Sequence, residues 1–418
     1  MELTENIIEP EKAVLVSVDT GDFDCEVSLA ELEELVLTAG GEVISSMVQK
    51  RPAPDPATYI GSGRLEELAL FCETQEPDLI VIDGEISPSQ QRNIEEATDV
   101  RVIDRTTLIL DIFAAHARSG EGKLQVELAQ LRYTLPRLSG RGKAMSRLGA
   151  GIGTRGPGET KLETDRRHIR SRINRLEEEL AELEKRRSLA RARRAKDRIE
   201  TVAIVGYTNA GKSTLMNALT EADVLVEDKL FATLDPTSRA LVLPDGRRVM
   251  LIDTVGFIRR LPHHLVEAFK STLEEAADAD VILNVCDASD PEHYNHLKVT
   301  SELLESLGCE GKPVVYVYNK ADLVPEGVVP FRGESQSVTI SALGGEGLDR
   351  LLEAIAKALP PTRIRLKLLV PFTDGKAAAE MRRDGVVHAE EYRPDGLWLD
   401  ITLDVSLANR YNMYCVTD

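Results

Sequence analysis

The segment whose residue types and spacing indicate chemistry most directly follows the strand-like run TVAIV and precedes the helix-forming run LMNAL. It has the pattern G-x-x-x-x-G-K-[ST], in which backbone N–H groups converge on phosphate oxygens at a helix N-terminus. Lys212 would lie near the β- and γ-phosphates of a nucleotide, and the Ser213 hydroxyl would bind Mg²⁺. The predicted phosphate-binding residues are Gly206, Tyr207, Thr208, Asn209, Ala210, Gly211, Lys212, Ser213 and Thr214.

A second strand-like run, RVMLI, ends in the sequence DTVG, formed by Asp253, Thr254, Val255 and Gly256. An Asp at a strand end can hold Mg²⁺ through water, and a Gly at this position can offer its N–H to a γ-phosphate. DTVG is a weak pattern alone, but its place after the phosphate loop favours a metal and γ-phosphate site. We expect Lys212, Gly256 and the metal to stabilise charge during phosphoryl transfer.

The loop between these two motifs contains the threonine expected to complete the metal site. Thr233 is predicted as a Mg²⁺ ligand and catalytic residue that takes its position when a γ-phosphate is present, and Thr237 is the alternative. The residues of this loop expected to contact the nucleotide are Phe231, Ala232, Thr233, Leu234 and Asp235.

Two later motifs predict the base of the nucleotide. The Asp322 carboxylate can accept hydrogen bonds from the N1–H and the exocyclic amino group of guanine, whereas adenine presents no such pair of donors. The backbone of the second motif would lie against the guanine O6. The motifs consist of Asn319, Lys320, Ala321 and Asp322, and of Ser341, Ala342 and Leu343. Their order along one α/β unit predicts a domain that hydrolyses GTP to GDP and phosphate.

Each motif follows a buried strand-like run, so an α/β domain must position them. We expect four domains: an N-terminal α/β domain at 1–115, a basic helical hairpin at 116–198, a P-loop GTPase domain at 199–361 and a small α+β domain at 362–418. The fold class is therefore α/β: a P-loop GTPase domain preceded by an α/β domain with a long antiparallel helical hairpin and followed by a small α+β domain. In the first domain, the spacing of Ser28 and Glu31 predicts a capping box. In the last, two strands are expected around one short helix.

The hairpin prediction depends on two leucine and isoleucine series with heptad spacing. They are Leu124, Leu128, Leu131, Leu135 and Leu138, and Ile169, Ile173, Leu176, Leu180 and Leu183. Because neither helix can bury such a seam alone, an antiparallel pair is favoured, with packing against a neighbouring domain as the alternative.

Charge distinguishes the hairpin from the rest of the 418-residue chain. The formal net charge is -19, yet residues 116–198 contain 22 Lys+Arg and 11 Asp+Glu. The connecting loop, SGRGKAMSRLGAGIGTRGPG, has seven glycines among its twenty residues and no acid. A flexible cationic loop on a stalk suits RNA, although a disordered surface loop or a protein-binding coiled coil are alternatives. Acidic surfaces elsewhere would keep other parts of the protein away from phosphates.

The sequence also argues against several classes of protein. No apolar run reaches the ~18 residues needed to span a bilayer, and the acidic N-terminus lacks the layout of a secretory signal. Five dispersed cysteines without CxxC spacing favour free thiols over zinc. We therefore expect a cytoplasmic protein, with peripheral membrane association as a variant of this expectation, a monomeric state and no DNA partner.

Taken together, the motifs resemble the HflX family of translation-associated GTPases, over nearly the whole chain. The resemblance is carried by GYTNAGKST, FATLDPT, DTVGFI, NKAD and SAL, by YIGSGR, and most specifically by SGRGKAMSRLGAGIGTRGPGETKLETDRR. It implies that the N-terminal domain and the hairpin bind the large ribosomal subunit and its RNA, with the glycine-rich loop near the peptidyl-transferase region. It also implies that the GTP-bound protein splits stalled ribosomes, especially after heat stress.

Two residues bear on the rate of hydrolysis. Where Ras-like proteins place a water-orienting glutamine after DxxG, this chain has Phe257, which cannot hydrogen-bond a water, so slow hydrolysis without a partner is expected. Asn209 matches an asparagine that holds K⁺ in some related GTPases, and a loop-shaping hydrogen bond is the alternative. The rival interpretation of the whole chain is a GTP-dependent regulatory switch that acts on a protein or membrane partner.

Overall fold

The computed structural model describes residues 10–138, 157–197, 199–220, 230–231, 237–260, 276–324, 336–361 and 363–416. Contacts divide the chain into two compact units, Met1–Ala356 and Lys357–Asp418. Among the described residues, no helix is both long and apolar enough to cross a membrane.

The first unit begins with a four-stranded parallel sheet in the order β2-β1-β3-β4, covered by four helices. The two central strands are rich in Val, Ile and Leu, as expected for strands buried on both faces. The strands are β1 (Lys12–Asp19), β2 (Glu42–Lys50), β3 (Leu79–Ile82) and β4 (Arg101–Asp104). The helices are α1 (Cys25–Thr38), α2 (Ser62–Gln75), α3 (Pro88–Thr98) and α4 (Arg105–His116).

The helix starts in this sheet domain agree only partly with the sequence signals. Ser87 caps α3 in a capping box with Gln90, and Pro88 occupies the first turn. The capping box predicted at Ser28 is wrong, because the N-cap of α1 is Asp24, four residues earlier, whose side chain accepts hydrogen bonds from two backbone N–H groups. Ser28 lies inside the helix, and its hydroxyl donates to the buried Asp83 carboxylate instead.

The helical hairpin consists of α5 (Gly120–Arg137) and α6 (Pro157–Asp197). Arg187 pairs with Glu121 and Arg132 with Glu177, so the two helices run antiparallel. One apolar cluster joins the two predicted series, while Leu138 and Leu183 lie outside it. Its members are Leu124, Leu128, Leu131, Leu135, Ile169, Ile173, Leu176 and Leu180. Residues 139–156, which form most of the predicted cationic loop, are outside the described residues.

A six-stranded sheet follows in the order β10-β9-β8-β5-β7-β6, parallel except for the β6–β7 pair. This arrangement brings the carboxyl ends of β5, β7, β8 and β9 to one edge of the sheet. The strands are β5 (Glu200–Gly206), β6 (Thr237–Val242), β7 (Arg248–Asp253), β8 (Val281–Asp287), β9 (Val314–Asn319) and β10 (Ser337–Thr339). The helices include α7 (Lys212–Thr220), α8 (His293–Ser306) and α9 (Leu348–Ala358).

Loop residues of the GTPase domain pack into the apolar core on one face of the first sheet. Phe231 packs edge-on against Phe113 of α4, with ring centroids 4.7 Å apart. Val255 and Ile258, which flank the DTVG glycine, belong to the same cluster as Leu15 of β1. Loops that the sequence assigns to the nucleotide therefore pack directly on the N-terminal domain.

The second unit is a three-stranded antiparallel sheet in the order β11-β13-β12 with helices on one face. The two predicted strands, β11 and β13, and the helix between them in sequence are present, but β12 was not predicted. Because nearly all its residues are exposed, β12 lacks the apolar signal that marks the other two strands. The elements are β11 (Arg363–Val370), α10 (Gly375–Asp384), β12 (Val386–Arg393), β13 (Gly396–Asp404) and α11 (Val405–Arg410).

Candidate nucleotide-binding site

The phosphate loop connects β5 to α7 and depends on two glycines for close packing. A Cβ at Gly206 would collide with the Val285 carbonyl oxygen, and a Cβ at Gly211 would collide with the Asn319 side-chain amide. Gly211 also has φ +85°, a conformation that residues with a Cβ rarely adopt. The loop is thus held against the ends of β8 and β9, which leaves its N–H groups at the start of α7.

Lys212 is buried at the centre of this loop. Its Nζ donates a hydrogen bond to the Tyr207 carbonyl oxygen at 2.7 Å. Burial lowers the pKa of Lys212 to about 8, and the nearby Asp253 carboxylate opposes this shift. A buried amine in such surroundings is stabilised in its charged form by added negative charge, which a phosphate group would supply.

The side chains of Ser213 and Asp253 form a hydrogen bond beside Lys212. The Ser213 hydroxyl donates to Asp253 Oδ2 at 2.9 Å, and Asp253 is fully buried at the end of β7. A hydroxyl and a carboxylate are the oxygen ligands that Mg²⁺ prefers, so this donor set fits the metal. Thr237, the alternative to Thr233, begins β6 in register with Asp253.

The predicted ligand Thr233 cannot be placed beside this pair. It lies outside the described residues, together with its neighbours Ala232, Leu234 and Asp235. Phe231, also predicted to contact the nucleotide, is buried in the core shared with the N-terminal domain.

The DTVG segment runs alongside the phosphate loop. Phe257 N–H donates to the Gly206 carbonyl oxygen at 3.0 Å, and Thr208 N–H donates to the Phe257 carbonyl oxygen at 2.7 Å. A Cβ at Gly256 would lie 2.9 Å from Thr208 Cγ2 and 3.0 Å from Lys212 Nζ. The buried Thr254 hydroxyl donates to the Ile204 carbonyl oxygen at 2.8 Å. Gly256, Thr208 and Lys212 therefore converge on one point.

Asn319 connects the phosphate loop to the second base motif. Its Nδ2 donates to the Ala210 carbonyl oxygen at 2.8 Å, and its Oδ1 accepts from Ala342 N–H at 2.9 Å. Lys320 pairs with Asp287 at 2.7 Å. The Asp322 side chain belongs to an exposed residue and is available to a base.

The other residues of the two base motifs lie near Asp322, and two of them are held by hydrogen bonds. Ala321 N–H donates to the Ile340 carbonyl oxygen at 3.1 Å, and the Ser341 hydroxyl accepts from Gly344 N–H at 2.9 Å. Leu343 is 85% exposed. The structure thus brings together the predicted residues of the phosphate loop, DTVG and the two base motifs.

Sequence reasoning missed a polar network beside this site. The Tyr207 hydroxyl bonds the Glu31 carboxylate of α1 and accepts from Arg259 N–H at 2.8 Å. Arg260 contacts Asp83 of the N-terminal domain at 3.2 Å. The arginine pair that follows DTVGFI is the part of this network visible in the sequence. Nothing in the neighbouring residues indicated which groups the two arginines contact.

Comparison with known families covers most of the chain. A model described as "GTP-binding GTPase N-terminal" matches residues 26–114, and one described as "GTP-binding GTPase Middle Region" matches residues 116–194. A third, described as "50S ribosome-binding GTPase", matches residues 201–320.

Two relatives and one solved structure are similar to this chain over most of its length. "GTPase HflX" of Caldanaerobacter subterraneus subsp. tengcongensis is 52% identical over 409 residues, covering 98% of this chain and 95% of the relative. "GTPase HflX" of Escherichia coli is 41% identical over 391 residues, covering 92% of each. A GTP-binding protein from Sulfolobus solfataricus, solved in complex with GDP, is 28% identical with a TM-score of 0.43, covering 83% of this chain and 98% of that one.

Proposed function

Since the chain belongs to the HflX family of GTPases, which bind guanine nucleotides and hydrolyse GTP, we propose that it uses GTP to bind the large ribosomal subunit and split stalled ribosomes under stress. The observation that carries the proposal is a guanine-nucleotide site built into the same compact unit as a basic helical hairpin. The first feature supplies a switch, and the second supplies a surface for RNA.

We assign the phosphate chemistry to residues around Lys212. The Lys212 ammonium would hold the β- and γ-phosphates, and the Gly256 N–H would bind the γ-phosphate. Ser213, Asp253 and Thr233 would hold Mg²⁺, which supplies charge neutralisation at the transferred phosphoryl group when bound. Catalysis would then come from positioning and charge stabilisation.

We assign guanine selection to Asp322, supported by Asn319 and the Ser341–Leu343 backbone. The exposed Asp322 carboxylate can meet both guanine donors, while Asn319 ties the base end of the site to the phosphate loop through two buried hydrogen bonds. Asn319 would therefore connect the loop at the phosphates of a bound nucleotide to the loop at its base.

Hydrolysis in the free protein should be slow. Phe257 is 1% exposed and packs in an apolar cluster, so it neither reaches nor orients a water. Asn209 is exposed and has φ +58°, a left-handed conformation that asparagine tolerates. For the Asn209 side chain, a loop-shaping hydrogen bond and coordination of K⁺ stay the two alternatives.

The hairpin is the proposed RNA-binding surface. Arg167, Arg170, Lys185 and Arg186 on α6 are all exposed, and Arg167 and Arg170 form no ion pair within the described part of the chain. Free guanidinium groups can fork onto phosphates, with a strong dependence on salt. We propose that residues 116–198 bind ribosomal RNA, and that the glycine-rich loop between the two helices adds contacts with RNA.

The wider assignments are part of the same proposal. We propose the four domains 1–115, 116–198, 199–361 and 362–418 as functional divisions, with a monomeric protein acting in the cytoplasm. In this division, the first three parts carry the ribosome and nucleotide contacts.

A light-scattering assay on intact ribosomes tests the proposal. We expect GTP or a non-hydrolysable analogue, and not GDP, to let the protein dissociate ribosomes into subunits. Arg167→Glu combined with Arg170→Glu should weaken splitting and its salt dependence without changing GTP affinity.

The matched control makes the same charge change on the GTPase domain, with Arg239→Glu and Lys298→Glu at exposed positions. Equal loss in both double variants would contradict a specific hairpin contact. Nucleotide-dependent capture of a protein partner through the hairpin, with no splitting, would favour the regulatory switch instead.

A further inference from the structure

Asp287 lies at the base end of the nucleotide site but belongs to none of its sequence motifs. It is the last residue of β8 and pairs in the sheet with Asn319, the last residue of β9. Its Oδ2 lies 2.7 Å from Lys320 Nζ, and the two side chains are 19% and 25% exposed. The ammonium group of a base-motif residue is therefore bound to a carboxylate on the neighbouring strand, in a partly buried ion pair.

The other oxygen of the Asp287 carboxylate is held by the turn that follows β8. Oδ1 accepts hydrogen bonds from Ser289 N–H at 2.9 Å and from the Ser289 hydroxyl at 2.6 Å. Between these residues, Ala288 N–H donates to the Asn319 carbonyl oxygen at 2.8 Å. Because the turn fixes Oδ1, the charged Oδ2 keeps one direction, and a charge-assisted hydrogen bond to Lys320 is stronger than a neutral one.

Lys320 is the residue at which the backbone changes direction between Asn319 and Asp322. It has φ +60°, a left-handed conformation that residues with a Cβ rarely adopt and keep only where their surroundings hold them. The next N–H, that of Ala321, donates to the Ile340 carbonyl oxygen at 3.1 Å, and Asp322 then lies at an exposed position. The conformation of Lys320 therefore sets the position of Asp322 relative to the buried Asn319.

We propose that Asp287 is a positioning residue for the binding of guanine nucleotides. By holding the Lys320 ammonium, it keeps Lys320 in its left-handed conformation before a nucleotide binds, so that Asp322 is already in place for the base. A loop held in its bound conformation loses less freedom on binding, which tightens binding chiefly through slower release. This inference rests on the proposed role of Asp322 in guanine selection, and it does not depend on the ribosome.

Stopped-flow release of a fluorescent GDP from the full chain tests the inference. Asp287→Asn removes the charge that faces Lys320 but keeps the Oδ1 atom that Ser289 binds, so the turn after β8 is preserved. We expect this variant to release GDP and a fluorescent GTP analogue about fivefold faster, as for the loss of a partly exposed ion pair. Single-turnover hydrolysis at saturating GTP should keep its rate, because the ion pair lies at the base end of the site.

A double-mutant cycle with Lys320→Met assigns the effect to the ion pair. Lys320→Met should itself speed release, and in its background Asp287→Asn should have no further effect. Ser289→Ala, which removes one hydrogen bond to Oδ1 and keeps the charge, should change release by less than about twofold. The matched control is Glu302→Gln, which makes the same change of charge in an exposed ion pair with Lys298 on α8 and should leave release unchanged.

The outcomes separate an error in the positioning role from an error in the site. Unchanged release by Asp287→Asn, or the same acceleration in the native and Lys320→Met backgrounds, would overturn the positioning role. Slower hydrolysis at saturating GTP would also overturn it, because the effect would then extend to the phosphates. If the unaltered protein bound ADP as tightly as GDP, the guanine site on which the inference rests would be the part at fault.

Discussion

Asn319 offers the most quantitative test of the site. Asn319→Ala removes both hydrogen bonds of the buried amide and leaves the Ala210 carbonyl oxygen and the Ala342 N–H without their partner. Each buried polar group left unsatisfied costs about 1–3 kcal/mol, so the pair should cost about 2–6 kcal/mol. The two bonds join loops at opposite ends of the nucleotide site, so we expect these loops to lose their order in the free variant and to regain it on binding. Ordering them would then place about 2 kcal/mol of this cost on binding and reduce affinity for GDP and GTP alike by about 30-fold.

Fluorescent-nucleotide titration with GDP and a GTP analogue measures this change directly. The matched control is Asn284→Leu on the neighbouring strand β8, because Asn284 is fully buried and its amide atoms have no hydrogen-bond partner within the described residues. Replacing such a group with an apolar side chain should leave nucleotide affinity unchanged and not lower the melting temperature. Native-like GDP affinity in Asn319→Ala would show that Asn319 does not connect the two loops.

Three further predictions concern single side chains. Asp322→Asn should weaken GTP binding by about 3 kcal/mol or more and improve binding of xanthosine triphosphate, measured by competition; equal weakening for both would contradict base contact. Thr208→Val should weaken GTP binding about 5- to 10-fold but not GDP binding, because the buried Thr208 hydroxyl lacks a partner among the described residues and belongs to a residue whose methyl carbon lies beside Gly256; parallel changes would disprove it. Burial lowers the pKa of His296, against the opposing effect of Asp290, so the unfolded chain takes up the proton first and thermal stability should fall as the pH drops below about 6.5. His296→Gln should flatten that dependence in melting curves, and an unchanged slope would assign it to other groups.

The parts of the candidate nucleotide site could be predicted from the sequence because each of them is local. The glycine spacing around Lys212, and the carboxylate at the end of β7, each follow from a strand and the turn after it. Topology then brings such strand ends to one edge of the sheet. The loop around Thr233 stays a sequence prediction, since it lies outside the described residues.

The contacts with the N-terminal domain could not be predicted in this way. Arg260 and Asp83 are 177 residues apart, and each is an ordinary charged residue in its own segment. The error at Ser28 has the same origin, because its hydroxyl satisfies a distant buried carboxylate instead of its own helix. Similarly, the sequence of β12 is exposed and charged, and β12 is a strand because it pairs with β13.

Sedimentation of the full chain with purified large ribosomal subunits tests whether GTP controls ribosome binding. With a non-hydrolysable GTP analogue, we expect the protein to migrate with the large subunit, and with GDP we expect most of it to stay at the top of the gradient. Migration that is the same with both nucleotides, or absent with both, would contradict a GTP-controlled ribosome-binding function.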